Sequence, residues 1–345
     1  MDYNEIIKQI LQDYKKSFEI DINIFCDTRD NLLKIEPTLV IRDNTAAIYH
    51  NKSRTIFINR EVIEKVKNKN FNNSNNQYDN GLSFLIHACF HELEHRLQSD
   101  CPQMLTNQNN IYPIMYQIEQ FLISTYQYEK NYDEYAKLHD KFISEIDADI
   151  KGNKNLKTFA NQYGIPVNPN YIELFNYYNI FRENEYEPLY FINKFNKKIK
   201  NYDFHSYFNS NNPIQRQIIE FYDNNGNLKS IDEIMNLTNN PLLPYIVSSF
   251  EFIQSINNKN LSEEQIRFIY NSIKYVMNEH NEKKEKMEIA REKLKPRFGE
   301  FIEYTEISNT TSKTLETQDS SGMYEYLEAV SSSLMQHLSI KNKSK

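Results

Sequence analysis

The sequence predicts a mainly α-helical protein with a small β-sheet, an α+β fold, and two features support this prediction. Glycine accounts for only 6 of the 345 residues, against roughly 7% in average proteins. Because tight hairpin turns depend on glycine, a chain this poor in it is a weak candidate for an all-β fold. Most long segments repeat their apolar residues at helical spacing, and only a few short segments alternate as strands do.

Composition and charge also argue against several classes of function. The 40 basic and 47 acidic residues give a net charge of −7, which disfavours nucleic-acid and anionic-membrane partners. The sequence has no glycine-rich phosphate loop, so dinucleotide-binding and P-loop proteins are disfavoured. Its three cysteines form no C-x-x-C pair, and neither a signal-peptide pattern nor a bilayer-length apolar run is present. These features predict a cytoplasmic protein with no membrane partner.

The N-terminal half begins with a helix over residues 3–18, where Ile and Leu residues recur on one face. Residues 18–26 alternate apolar and polar side chains and predict a strand. A hairpin follows, with strands at Ala46–Tyr49 and Thr55–Ile58, and the Asn-rich stretch 68–81 predicts a loop. The other helices predicted in this half are Glu61–Val66, Leu82–Ser99, Tyr112–Lys130 and Tyr132–Lys151, the last of them ended by Gly152.

The C-terminal half is predicted to be helical, and the segment 164–170 is typical of a linker. We therefore expect a metal-binding domain at 1–160, a helical domain at 165–304, and a polar tail at 305–345 that ends in an amphipathic helix. The predicted helices of the second domain are Tyr171–Arg182, Pro188–Ile199, Pro213–Tyr222, Ile231–Leu237, Leu243–Ile256 and Ser262–Asn278.

Residues 91–95 read His-Glu-Leu-Glu-His, the H-E-x-x-H pattern, within a predicted helix. Positions i and i+4 lie on one helical face, so His91 and His95 can direct two imidazoles at one zinc ion. Glu92 flanks that face and can take a proton from a zinc-bound water, as a general base does. About 0.01 occurrences of this pattern are expected by chance in a chain of this composition.

A catalytic zinc site needs a third protein ligand, and a second predicted helix offers one. Glu145 and Asp149 are spaced i and i+4 on that helix. Glu145 can ligate the metal, and Asp149 can accept the second ring N–H of a ligating histidine and so fix its tautomer. The same interval holds alternatives to Glu145, namely Glu119, Glu129, Asp133, Glu134 and His139.

Together, the His-Glu-Leu-Glu-His segment at 91–95 and the Glu-Ile-Asp-Ala-Asp segment at 145–149 resemble the gluzincin branch of the zincin metallopeptidases. The resemblance covers roughly residues 46–150. It implies a zincin-like domain in which the strand at 55–58 is the edge strand that receives an extended substrate. It also implies a role for each residue of the site: His91, His95 and Glu145 as zinc ligands, Glu92 as general base, and Asp149 as hydrogen-bond partner of His91.

The function expected from these residues is zinc-dependent hydrolysis of a peptide bond in a peptide or protein substrate, with the C-terminal helices as a candidate surface for a protein partner. Two alternatives remain open. Glu94 and Arg96 are charged where the family keeps uncharged residues, which favours a non-catalytic regulatory or interaction module. A helical scaffold that assembles through residues 262–300 and 323–338 is the other.

The sequence gives weaker evidence on the roles of other residues near the H-E-x-x-H segment and of the group that stabilises the oxyanion. We expect His87 and Cys89 to pack in the interior, because isolated histidines and thiols on an apolar helix more often do so. A zincin also uses a tyrosine or histidine to stabilise the oxyanion. Tyr163, Tyr202 and His205 are candidates for this role, and the sequence gives no reason to choose one of them.

Overall fold

The computed structural model describes residues 3–19, 22–37, 39, 41, 45–68, 80–102, 105, 111–165, 167, 169–257, 259–313 and 317–343. Most of the Asn-rich stretch predicted as a loop, residues 69–79, lies outside these ranges. The described chain is mostly helical and contains one three-stranded sheet, so the prediction of a mainly α fold with a small β-sheet is confirmed.

In chain order the elements are α1 (Tyr3–Phe18), β1 (Asn23–Asp27), α2 (Arg29–Ile35), β2 (Ala47–His50), β3 (Thr55–Asn59), α3 (Arg60–Asn68), α4 (Asn80–Asp100), α5 (Tyr112–Tyr128), α6 (Tyr132–His139), α7 (Ile143–Tyr163), α8 (Pro169–Glu185), α9 (Pro188–Ile199), α10 (Phe204–Tyr207), α11 (Pro213–Ile219), α12 (Ile231–Ile234), α13 (Leu243–Val247), α14 (Phe250–Ile256), α15 (Glu263–Lys313) and α16 (Thr317–Lys343).

The chain divides into two compact units that differ from the predicted domains. Unit 1 comprises Met1–Asn107 and Ile143–Arg182, and unit 2 comprises Gln108–Phe142 and Glu183–Lys345. The segment 108–142, expected in the first domain, belongs to unit 2 because α5 packs against α9. Because α5 and α9 are far apart in the chain, local composition cannot predict that they pack together.

The sheet of unit 1 has the order β1-β3-β2, with β1 parallel and β2 antiparallel to β3. The predicted hairpin is confirmed as β2 and β3. The expectation that the strand at 55–58 is an edge strand is wrong, because β3 is the central strand. The reason is that β3 is apolar on both faces: Ile56 and Ile58 pack into one hydrophobic cluster and Phe57 into another.

Helix α4 lies in the larger of these clusters and contacts α1, α3, α7 and the sheet. Its apolar residues Leu85, Ile86, Cys89 and Leu93 are fully buried. The hydroxyl of Tyr14 on α1 donates a hydrogen bond to the Leu93 carbonyl, at 3.0 Å. These contacts hold the middle of α4, where the H-E-x-x-H residues lie, in a fixed position between sheet and helix.

The prediction of one helix over Tyr132–Lys151 is wrong, because this segment holds α6 and the first part of α7. A tight turn separates α6 from α7, with hydrogen bonds from Lys141 N–H to the Leu138 carbonyl (2.9 Å) and from Phe142 N–H to the His139 carbonyl (3.2 Å). Gly152 does not end the helix, because α7 continues through it to Tyr163.

Unit 2 is built around an aromatic core in which Phe121 of α5 packs edge-on against Phe195 of α9, with ring centroids 5.1 Å apart. The tail at 305–345, predicted to be polar with a terminal amphipathic helix, is helical throughout its described residues. Helix α16 packs against α15 and buries Leu327 and Leu338. Across the residues that the structure describes, every helix is too short or too polar to cross a lipid bilayer.

Candidate metal centre

The packing of α4 against α7 brings three metal-ligating groups together. The Nε2 atoms of His91 and His95 lie 3.1 Å apart. Glu145 reaches both rings, with Oε2 at 3.2 Å from His91 Nε2 and Oε1 at 3.4 Å from His95 Nε2. Among the described residues, these three are the group of His, Cys, Asp and Glu side chains whose ligand atoms converge closely enough to hold a metal ion.

The separations between these groups are close to those around a metal ion. A tetrahedral zinc with bonds of about 2.0–2.1 Å places its ligand atoms roughly 3.3–3.4 Å apart. The two Nε2 atoms are 3.1 Å apart, and each lies 3.2–3.4 Å from a different carboxylate oxygen of Glu145. Two imidazoles and one carboxylate are also a usual donor set for catalytic zinc. All three side chains are only 13–19% exposed, so they lie in a mostly buried contact between helices and not on an open helix face.

Asp149, four residues after Glu145 on α7, determines the orientation of His91. Its Oδ1 lies 2.7 Å from His91 Nδ1, and because a carboxylate only accepts, Nδ1 carries the proton. With the proton on Nδ1, the neutral form of the ring has its lone pair at Nε2, the nitrogen that faces Glu145 and His95. The second carboxylate oxygen of Asp149 accepts a hydrogen bond from the guanidinium of Arg182 on α8.

His95 is oriented in the same way by Gln98, whose Oε1 lies 2.9 Å from His95 Nδ1. In their neutral forms both rings would therefore direct lone pairs into the same space. Lone pairs 3.1 Å apart beside a carboxylate would repel each other, so a proton or a metal ion between the rings is favourable. The arrangement of these side chains therefore fits a bound cation.

The electrostatics of the centre favour positive charge. Burial lowers the pKa of a histidine, yet the pKa of His91 is raised because its hydrogen bond with Glu145 and the charge of Glu92 outweigh burial. The pKa of His95 is also raised against the effect of burial, mainly by the charge of Glu145. The carboxylates thus stabilise a cation at the two rings, whether a proton or a metal ion.

Glu92 contacts the sheet from the flank of α4. Its Oε2 accepts a hydrogen bond from the backbone N–H of Tyr49 on β2, at 2.6 Å. This bond holds the carboxylate beside the edge strand, one residue from His91. The proposed general base is therefore fixed in position rather than extended into solvent.

The two charged departures from the family pattern are buried and have partners inside unit 1. Glu94 is 5% exposed, accepts a hydrogen bond from Asn155 at 3.0 Å, and lies 3.9 Å from the Lys151 ammonium. Arg96 is 3% exposed and forms an ion pair with Asp100. Neither residue contributes an atom to the group formed by His91, His95 and Glu145.

Gly152 allows α7 to approach α4 closely at this centre. A Cβ atom at position 152 would lie 3.1 Å from the backbone nitrogen of His91 and 3.2–3.3 Å from the His87 ring. The His87 ring is itself held edge-on against Phe175, at 4.3 Å between centroids. Gly152, which we expected to end a helix, instead allows α7 and α4 to pack closely.

We expect Gly152→Ala to lower the free energy of unfolding by about 1–2 kcal/mol, because overpacking against a backbone atom outweighs the gain in helix propensity. Gly322 of α16 is the matched control, since nothing lies within 4 Å of a Cβ placed there. Gly322→Ala should leave the stability unchanged or raise it by up to about 1 kcal/mol. Urea denaturation followed by circular dichroism checks both, and equal shifts would contradict the close-approach argument.

His87 and Cys89 pack in the interior, as expected. His87 is 4% exposed, and burial lowers its pKa to about 3, so the ring is neutral near pH 7. Cys89 is fully buried, and burial raises the pKa of its thiol, which makes it a poor nucleophile or ligand.

Four of the five alternatives to Glu145 have partners within unit 2. The contacts are Glu119 with the Tyr186 hydroxyl, Glu129 with Lys198 and Tyr202, Glu134 with Lys194, and His139 with Asp140. Of the three oxyanion candidates, Tyr163 bonds Asp13, Tyr202 bonds Glu129, and the side chain of His205 lies outside the described structure. The hydroxyls of Tyr163 and Tyr202 thus have partners outside the His91–His95–Glu145 group.

Gln98, Arg182 and the Tyr49 amide are site groups that the sequence analysis missed. The role of Gln98 could have been predicted from spacing, because it lies three residues after His95 on the same helical face. Arg182 and the Tyr49 amide had none, since their contacts depend on how α8 and β2 pack against α7 and α4.

Comparison with protein-family models, with curated proteins and with solved structures finds no significant match to this chain. Its functional interpretation therefore rests on the geometry and chemistry of its own residues.

Proposed function

We propose that unit 1 is the catalytic unit of a zinc-dependent peptidase of the gluzincin type, which hydrolyses a peptide bond with a metal-activated water. The observation that carries this proposal is the convergence of His91, His95 and Glu145 at zinc-ligand separations, with Glu92 beside them. The expected cytoplasmic location and the peptide or protein substrate are part of the proposal.

The residues of the centre have distinct roles in this reaction. His91, His95 and Glu145 would hold Zn²⁺, which when bound supplies a Lewis acid for the scissile carbonyl and an activated water. Glu92 takes the proton from that water and passes it to the leaving amine. The Tyr49 amide holds Oε2 of Glu92, and the second carboxylate oxygen would be the proton acceptor.

The edge strand β2 is the candidate position for an extended substrate. The Asn59 N–H donates to the Ala46 carbonyl at 2.7 Å, so in this antiparallel register Ala47 and Tyr49 direct their backbone groups away from β3. Because Glu92 takes the Tyr49 N–H, we propose that the Tyr49 carbonyl and both backbone groups of Ala47 pair with a substrate backbone. This replaces β3, which the sequence analysis expected in this role.

Metal analysis combined with a cleavage assay tests the proposal. We expect the purified protein to contain one zinc per chain and to cleave members of a peptide library, with cleavage lost on adding 1,10-phenanthroline and restored by zinc. Stoichiometric zinc without any cleavage would instead favour the non-catalytic module. An absence of zinc, with a melting temperature insensitive to chelator, would favour the helical scaffold built from residues 262–300 and 323–338.

A further inference from the structure

We infer that Gln98 is a positioning residue for the metal centre, which sets the tautomer of His95 and at the same time ties the first turn of α7, with Glu145, to α4. This inference rests on the proposed zinc site. It assigns a function to a residue outside the H-E-x-x-H pattern.

The amide of Gln98 has one orientation that satisfies its neighbours. Its Nε2 lies 2.9 Å from the Ser144 carbonyl oxygen and 3.0 Å from Asp147 Oδ2, and both of these atoms only accept hydrogen bonds. The NH₂ group must face them, so the carbonyl oxygen Oε1 faces His95 Nδ1. His95 Nδ1 is therefore protonated, which leaves Nε2, the nitrogen that faces Glu145 and His91, as the atom available to a metal ion.

The same side chain also fixes the position of the third ligand. Ser144 directly precedes Glu145, so the bond from Gln98 to the Ser144 carbonyl holds the backbone of α7 at the level of the His95 ring. One amide thus connects an imidazole ligand on α4 with a carboxylate ligand on α7. A shift between the two helices would lengthen both connections together.

Burial, together with an ion pair between Asp147 and Lys151, holds the Gln98 side chain in this arrangement. Gln98 is 1% exposed and Ser144 is 3% exposed, so solvent does not replace these bonds. Asp147, the other acceptor, is held by the Lys151 ammonium at 2.8 Å. In a buried site an unpaired donor or acceptor is costly, and the Gln98 amide is therefore confined to this orientation.

Gln98→Met tests the inference, because methionine has the same length and buries no new donor. We expect the zinc dissociation constant of this variant to rise about 10–100-fold, as measured by competition with a chromophoric chelator. The absorption of the Co²⁺-loaded protein should change as well, since it reports the arrangement of the ligands. Gln162→Leu on α7 of the same unit, where the glutamine is exposed, is the matched control and should change neither readout.

A rescue experiment separates positioning from a general loss of stability. In the Q98E variant a carboxylate still accepts from His95 but faces the Ser144 carbonyl and the Asp147 carboxylate, so we expect weaker zinc binding. The Q98E/D147N double variant restores a donor at position 147, and we expect its zinc affinity to recover relative to Q98E alone.

Two outcomes would overturn the inference, and they are distinguishable. Tight zinc binding by the wild-type chain, with an unchanged dissociation constant and Co²⁺ spectrum for Gln98→Met, would leave the metal site standing and remove Gln98 from it. Absence of zinc binding by the wild-type chain would remove the metal site and this role together.

Discussion

On the proposed mechanism, we expect replacing Glu92 with Gln to lower turnover by about 10²–10⁴-fold while zinc stays bound, because the variant loses a proton acceptor and keeps the shape of the side chain. The Gln carbonyl oxygen can still accept the Tyr49 N–H that the Glu92 carboxylate accepts at 2.6 Å, so the surroundings are preserved. Steady-state cleavage of a peptide identified in the library screen, together with zinc analysis, provides the measurement.

The control for this variant is Glu61→Gln, which makes the same chemical change at an exposed position on α3. We expect it to retain wild-type turnover. If E92Q cleaves the same peptide at the wild-type rate, Glu92 is not the general base and the proposed mechanism is wrong. If E92Q loses both zinc and activity, the residue acts on the fold of the centre instead of on the proton transfer.

Replacing Glu145 with Ala is expected to weaken zinc binding by more than about 100-fold, because losing a ligand costs more than losing a residue that only orients one. Zinc stabilises the folded state by mass action, by about 4 kcal/mol when free zinc is 1,000 times its dissociation constant. Chelation should therefore lower the melting temperature of the wild-type protein and have little effect on E145A. Differential scanning fluorimetry with and without chelator measures both.

The alternatives to Glu145 supply a matched control. Glu129 was a rival on sequence grounds, but it bonds Lys198 and the Tyr202 hydroxyl in unit 2. Glu129→Ala should keep wild-type zinc binding and wild-type sensitivity to chelator. Zinc loss in E129A with retention in E145A would show that the third ligand had been assigned to the wrong helix.

Part of the centre was predictable because it depends on spacing within one helix. His91, Glu92 and His95 acquire their relative positions from the geometry of α4, and any helix that carries these residues places them on neighbouring faces. Glu145 and Asp149 were paired for the same reason on α7. The contact of Asp149 with His91, expected from the resemblance to gluzincins, is present at 2.7 Å.

The wrong predictions concern residues whose local sequence fits two different structural roles. Gly152 was interpreted as a helix end, although in α7 its missing side chain allows the His91 backbone to come close. The strand at 55–58 was interpreted as an edge, although its apolar residues on both faces are typical of a central strand. In each case the deciding partner lies far away in the chain.

Local pattern along the chain was enough to predict a mostly helical protein, its small hairpin and the placement of His91 and His95 on one face of a helix. Long-range packing selected Glu145 from several equivalent acids, made β2 an edge beside Glu92, and brought Gln98 and Arg182 to the two rings. The physical reason is that side-chain spacing within a helix follows from backbone geometry. The approach of two helices depends instead on burial and steric fit, summed over residues that are remote in the chain.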